Sequence, residues 1–121
     1  MTDQTHKKDA GKLEYRLVPP AALQQVVEAL TYGAAKYTPH SWRLVESFRY
    51  VDAVYRHLEM ARKGETHDEE SALPHLAMAI TNLMFLLERQ EISNESVFSY
   101  YEEAEEEAAR LAQDSELFED L

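Results

Sequence analysis

The stretch Ala72-Leu-Pro-His-Leu-Ala-Met-Ala-Ile-Thr-Asn-Leu-Met-Phe-Leu-Leu-Glu-Arg89 decides the fold of this chain. Leu73, Leu76, Ala77, Ile80, Leu83, Met84 and Leu87 recur at helical spacing on one face, and Met78, Ala79, Phe85 and Leu86 lie on the other. A helix that is apolar nearly all round must be covered on several sides. It is therefore expected at the centre of a bundle or in a subunit interface. Ser71 is a reasonable N-cap and Pro74 is tolerable in a first turn, so the spacing predicts a helix from Ala72 to about Arg89.

Working outward, Val51, Val54, Tyr55, Leu58 and Arg62 form the stripe of a helix expected from about Glu46 to Lys63, with Gly64 as its C′ stop. Further upstream, Pro19-Pro20 precedes a helix whose stripe is Leu23, Val26, Val27, Leu30 and Ala34, ending near Gly33–Tyr37. Thr38-Pro-His-Ser41 reads as a turn, with Trp42-Arg43 in or just after it. Downstream, residues 94–112 predict a fourth helix with a Val97, Tyr100/Tyr101, Ala104, Ala108, Leu111 stripe and a face crowded with Glu. No β-period segment and no internal repeat stands out. The expected architecture is an all-α bundle of about four helices: an arm over 1–20, a helical core over 21–90 and an acidic helix or tail over 91–121.

Composition sets limits on function. With 121 residues and 45% hydrophobic content the chain is one domain with a modest core, a size that favours oligomerisation as extra burial. The absence of cysteine excludes disulfides and thiolate metal sites. No apolar run approaches about 20 residues, and the N-terminus lacks an apolar h-region, so a cytoplasmic protein with no membrane partner is expected. The net charge of −11 is uneven: residues 1–90 hold 12 acids and 11 bases, whereas 91–121 hold 11 acids against Arg110 alone. Nucleic acid is an unsuitable partner for that balance, because phosphate neutralisation needs a basic surface.

The chemistry gathers on the second and third helices and their connector. Asp52, His57, Glu59, Asp68, Glu70 and His75 sit there amid apolar sequence, and burying so many ionisable groups is costly unless each is paired or bound to a cation. At about 100° per residue, Asp52 and Glu59 share one flank and His57 lies on the other, beside Tyr50. Asp52 and Glu59 could each hold one end of a polyphosphate–Mg²⁺ cluster; the commoner arrangement is a solvated ladder with Arg49 and Arg56. His75 and Asn82 share the second face of the third helix, where a polar pair completes a buried network or faces a ligand. Asp68-Glu-Glu70 could ligate Mg²⁺ or simply favour the macrodipole of the helix that follows. Lys36 and Arg43 could hold phosphates, with Tyr37 or Trp42 stacking on a base or capping the core. Glu28 flanks the first helix and could face the same cleft. There is no nucleophile triad, P-loop, dinucleotide fingerprint or His-Glu-x-x-His motif.

Two groups of short motifs occur in a specific order: Lys8-Asp-Ala-Gly-Lys12, Leu17-Val-Pro-Pro20, Leu30-Thr-Tyr-Gly-Ala-Ala-Lys-Tyr37 and Ser41-Trp-Arg43, then Asp52-Ala-x-x-Arg-His-Leu58, Gly64-Glu65, Asp68-Glu-Glu-Ser71 and His75-Leu-Ala-x-Ala-x-x-Asn82. Over about residues 7–90 the set resembles the phage-type dATP/dGTP diphosphohydrolase domain family, related to the MazG-like all-α nucleoside triphosphate pyrophosphohydrolases. The resemblance implies an oligomeric helical bundle that uses Mg²⁺ (or Mn²⁺) to cleave a purine deoxynucleoside triphosphate to the monophosphate and pyrophosphate. It also implies a phage setting in which nucleotide pools are adjusted inside the host cell, including dGMP supply when unusual purines enter DNA. Two positions depart from the family pattern: Ala72 stands where Gly is usual, and Met78 where a second His is common. The glutamate pattern of MazG enzymes proper is absent.

Together these readings give metal ligands Glu28, Asp52, Glu59, Asp68 and Glu70, phosphate and base contacts from Lys8, Lys12, Lys36, Tyr37, Trp42 and Arg43, and supporting or proton-transfer roles for His57, His75 and Asn82. Two other classes fit the chain. One is a nucleotide-sequestering module without turnover; the other is an interaction protein acting through the acidic C-terminal helix.

Overall fold

The computed structural model describes residues 8–93 and 98–113. Among them four α-helices occur and no strand: α1 Pro20–Lys36, α2 Ser47–Arg62, α3 His75–Ser93 and α4 Ser99–Gln113, with short 3₁₀ turns at Tyr15–Leu17 and Ser41–Leu44. The protein is a small all-α bundle. Residues 94–97, which include Val97 of the expected fourth stripe, lie outside the described residues, as do residues 1–7 of the arm and 114–121 of the tail.

Helix ends follow local chemistry. Pro19 is the N-cap of α1 and Pro20 its first residue, where a missing N–H costs nothing. At the end of α2, Gly64 takes a positive φ of 105°, its N–H reaches the carbonyl of Ala61, and the Glu65 N–H reaches that of Met60, both at 3.0 Å. That pair of bonds is a Schellman closure, and glycine adopts the required φ without a Cβ penalty.

The start of α3 differs from the expectation: the helix begins at His75, three residues later than Ala72. Asp68 intercepts the chain first, accepting from the Ser71 amide and the Ser71 hydroxyl, each at 2.9 Å, while the Ala72 amide bonds the Asp68 carbonyl at 2.8 Å. Ala72 is thereby held at φ +61°, in the left-handed region, and cannot open a helix. The amides of Asp68 and His75 pair with the carbonyls of Leu73 and Thr66, and a single antiparallel bridge joins His67 to Pro74. The connector is thus a closed loop.

α3 packs on both α1 and α2. The buried apolar residues are Val26 and Ala29 from α1, Val51 and Val54 from α2, and Ala77, Ala79 and Leu86 from α3. Around Leu86 an aromatic cluster forms: Trp42 stacks on Phe85 with centroids 5.0 Å apart, and Tyr50 tilts against the same ring at 5.3 Å. The Trp42 carbonyl accepts from the Tyr50 hydroxyl at 2.8 Å and from Arg89 Nη2 at 2.7 Å, while Arg89 Nη1 reaches the Ser47 hydroxyl at 2.8 Å. These bonds hold the Ser41–Leu44 turn against α2 and α3. α4 touches α2 through the rings of Phe48 and Tyr100, 4.7 Å apart, and its described side chains are otherwise exposed.

The larger apolar stripe of α3 is not the buried one. Leu76, Ile80, Leu83, Met84 and Leu87 remain 42–66% exposed.

Two outcomes follow from this packing. Ala72→Gly should stabilise the chain by about 0.5–1 kcal/mol, relief of left-handed strain outweighing the added freedom of the unfolded chain, read as a higher denaturant midpoint. Phe85→Ala should cost about 2–3 kcal/mol, less than a fully buried phenylalanine, and should red-shift the emission of Trp42, the only tryptophan.

Candidate metal and nucleotide site

The closed connector places three ligand-type side chains together. His57 comes from the middle of α2, Asp68 from the loop and His75 from the first turn of α3. One candidate donor atom from each lies within 4.8 Å of the other two. Among the described residues no other group of three histidines or acids meets that spacing. His75 is 3% exposed, whereas His57 and Asp68 are half-buried.

The orientation of each group has a local cause. His75 Nε2 stands 3.3 Å from a carboxylate oxygen of Glu65, so that nitrogen carries the donated proton and Nδ1 turns inward. Nδ1 of His57 lies 2.8 Å from Nδ1 of His75. Burial first, and then the adjacent His75 ring, push the His57 imidazole below its ordinary range and favour its neutral form at pH 7. The backbone bond from Ser71 holds Asp68 below the usual carboxylate range, so it is ionised beside the two rings. Two imidazoles and an anion, with His75 oriented by Glu65 and Asp68 by Ser71, can bind a cation or take a proton from water.

Beside this cluster, Lys36 and Tyr32 of α1 both donate to Glu70 of the loop, Tyr32 at 3.3 Å. The Lys36 bond is the main cause of a lowered Glu70 carboxyl and a raised Lys36 ammonium. The Lys36 ammonium also lies 5.4 Å from the Tyr37 ring centroid and 5.9 Å from that of Tyr32. Lys36, Tyr37 and Glu70 therefore meet at one edge of the loop.

The remaining candidates are dispersed. Glu59 directs both oxygens to Arg62, at 2.6–3.2 Å, and Glu28 accepts from Gln24 at 3.2 Å on the exposed side of α1. Asp52 is exposed, on the side of α2 where its charge is felt by Tyr101 of α4. The Asn82 amide donates to the Met78 carbonyl at 2.8 Å. Trp42 is stacked on Phe85, with the Arg43 guanidinium 5.3 Å from its ring centroid. Lys8 and Lys12 are exposed on the arm, where the Lys12 amide closes a turn onto the Asp9 carbonyl at 2.9 Å.

Sequence reasoning missed Glu65 and Ser71 as parts of this site. Ser71 was detectable, since Asp followed three residues later by Ser is a side-chain-to-backbone turn pattern. Glu65 stood out in the sequence only as part of the Gly64-Glu65 motif, because its contact with His75 depends on the α2 closure that turns it toward α3.

Comparison with known proteins agrees with this arrangement of motifs. Residues 2–97 match the family described as dATP/dGTP diphosphohydrolase, N-terminal. A dATP/dGTP diphosphohydrolase of Salmonella phage PMBT28 is 36% identical over 80 residues, which is 66% of this chain and 28% of that protein. The match thus spans little more than a quarter of the relative's length. No solved structure matches the chain. On the extent of the family match, the chain belongs to the dATP/dGTP diphosphohydrolase N-terminal family.

Proposed function

We propose that this chain is a nucleotide-hydrolysing domain that converts purine deoxynucleoside triphosphates, dGTP and dATP, to the monophosphate and pyrophosphate in a phage-infected host cell. The observation that carries the reading is the convergence of His57, Asp68 and His75 within a family named for that reaction. A divalent cation arriving with the triphosphate would neutralise phosphate charge and favour departure of pyrophosphate.

The chain's own residues divide the remaining work. Lys36, with Arg43 and the arm residues Lys8 and Lys12, would bind phosphate oxygens. Tyr37 offers an exposed ring for the base, while Trp42 supports the adjoining turn from beneath. Asp68 or neutral His57 would accept the proton of the attacking water. The new bond forms between that water and the α-phosphorus, and the bond from that phosphorus to the bridging oxygen breaks. His75, held by Glu65, keeps the His57 ring in place. Of the metal ligands expected from the sequence, Glu28, Asp52, Glu59, Asp68 and Glu70, Asp68 joins the two histidines, and Mg²⁺ would arrive as an ion carried by the nucleotide.

The same reading includes self-association. Between His75 and Leu87, α3 bears no formally charged residue, and its exposed stripe is an apolar patch of the kind that marks an interface. A second copy, presenting the same uncharged stripe, is the matching occupant.

Incubation of the pure chain with each nucleoside triphosphate and Mg²⁺ or Mn²⁺ should release pyrophosphate fastest from dGTP or dATP. Asp68→Asn should lower kcat at least about a hundredfold. Tight nucleotide binding with no pyrophosphate from any substrate would replace the enzyme by a sequestering module. In light scattering the wild type should exceed the 14.0 kDa of one chain, and Leu83→Glu should return it to that mass.

A further inference from the structure

We propose that His57, Asp68 and His75 form a resident site for a first-row transition-metal ion of the Mn²⁺, Co²⁺ or Zn²⁺ class, distinct from the Mg²⁺ that accompanies a triphosphate. The inference deepens the hydrolase reading and rests on it for the use of the ion, while occupancy of the site stands on geometry alone.

Donor chemistry comes first. Two imidazole nitrogens and one carboxylate suit borderline transition ions, whereas Mg²⁺ takes oxygen ligands and keeps its waters. Geometry is the second ground. Nitrogen ligands at about 2.0–2.1 Å from one ion, at angles of about 90–109°, stand about 2.8–3.4 Å apart. The two Nδ1 atoms are 2.8 Å apart, at the lower end of that range, and an opening of a few tenths of an ångström reaches the wider tetrahedral spacing. A turn of the Asp68 carboxylate brings in the third ligand from within 4.8 Å.

The third ground is the set of groups behind the ligands. His75 presents Nδ1 inward while its Nε2 faces Glu65 at 3.3 Å, the carboxylate–histidine arrangement that fixes a metal-binding tautomer. Asp68 is oriented by two bonds from Ser71, whose hydroxyl in turn accepts from the Leu73 amide at 3.2 Å. Three protein ligands leave coordination positions open for water and a phosphate oxygen, as in catalytic rather than structural sites.

The test uses the full chain, stripped with chelator and titrated with Co²⁺ while visible d–d absorption is recorded. One equivalent per chain should bind, and a hundredfold excess of Mg²⁺ should not displace it. Sub-stoichiometric Mn²⁺ should broaden the ring resonances of His57 and His75 before those of His40 and His67. Asp68→Asn, which retains the shape of the loop, and His57→Asn should each weaken Co²⁺ binding at least about a hundredfold, and Glu65→Gln about tenfold. Glu102→Gln on α4 should leave binding unchanged. Displacement of Co²⁺ by equimolar Mg²⁺, or equal binding by wild type, Asp68→Asn and His57→Asn, would overturn the assignment. Turnover with Mg²⁺ in a chain that binds no Co²⁺ would overturn it too, leaving the hydrolase reading intact. Co²⁺ binding without turnover would uphold the site and remove the hydrolase reading.

Discussion

The structure depends on the closure of the loop between α2 and α3. Four backbone bonds hold it: His75 to Thr66, Asp68 to Leu73, Ala72 to Asp68, and Glu65 back to Met60. Each is an ordinary amide bond, yet together they determine where α3 begins and which way its first residue faces. A helix starting at Ala72 would rotate His75 by a different phase and separate it from Asp68. The left-handed φ of Ala72 is the strain accepted for this geometry.

Around that loop the protein is thinly packed. Its buried apolar residues are mostly valines and alanines, and no large side chain is fully buried among the described residues. What fixes the second end of the bundle is the aromatic cluster of Trp42, Tyr50 and Phe85, tied by Arg89 to the Trp42 carbonyl. The bundle is thus held at two places of different character: a polar, hydrogen-bonded end at the loop and an aromatic end at the 3₁₀ turn.

Much of the fold was legible from periodicity and end signals. Pro19-Pro20 and Gly64 marked helix ends within a residue, because proline and glycine act through backbone geometry that tertiary context rarely overrides. The start of α3 was misplaced because Ser71 was read as a cap for the chain ahead, whereas its hydroxyl and amide turn back to Asp68. Helical angles correctly separated His57 from Asp52 and Glu59 on α2. They could not bring His57 to His75, eighteen residues away, since that contact depends on how two helices pack. Which apolar stripe of α3 faces inward was equally hidden, for both stripes satisfy the same period.

Only twelve residues separate the end of α2 from the start of α3. Loop-closure entropy grows with the logarithm of length, so docking these two helices is among the least costly long-range events open to the chain. Contacts so local in sequence favour rapid formation, ahead of the docking of α1 onto α3. The hairpin that carries His57, Asp68 and His75 is therefore the favoured nucleus of folding, which would make these three side chains neighbours before α1 docks.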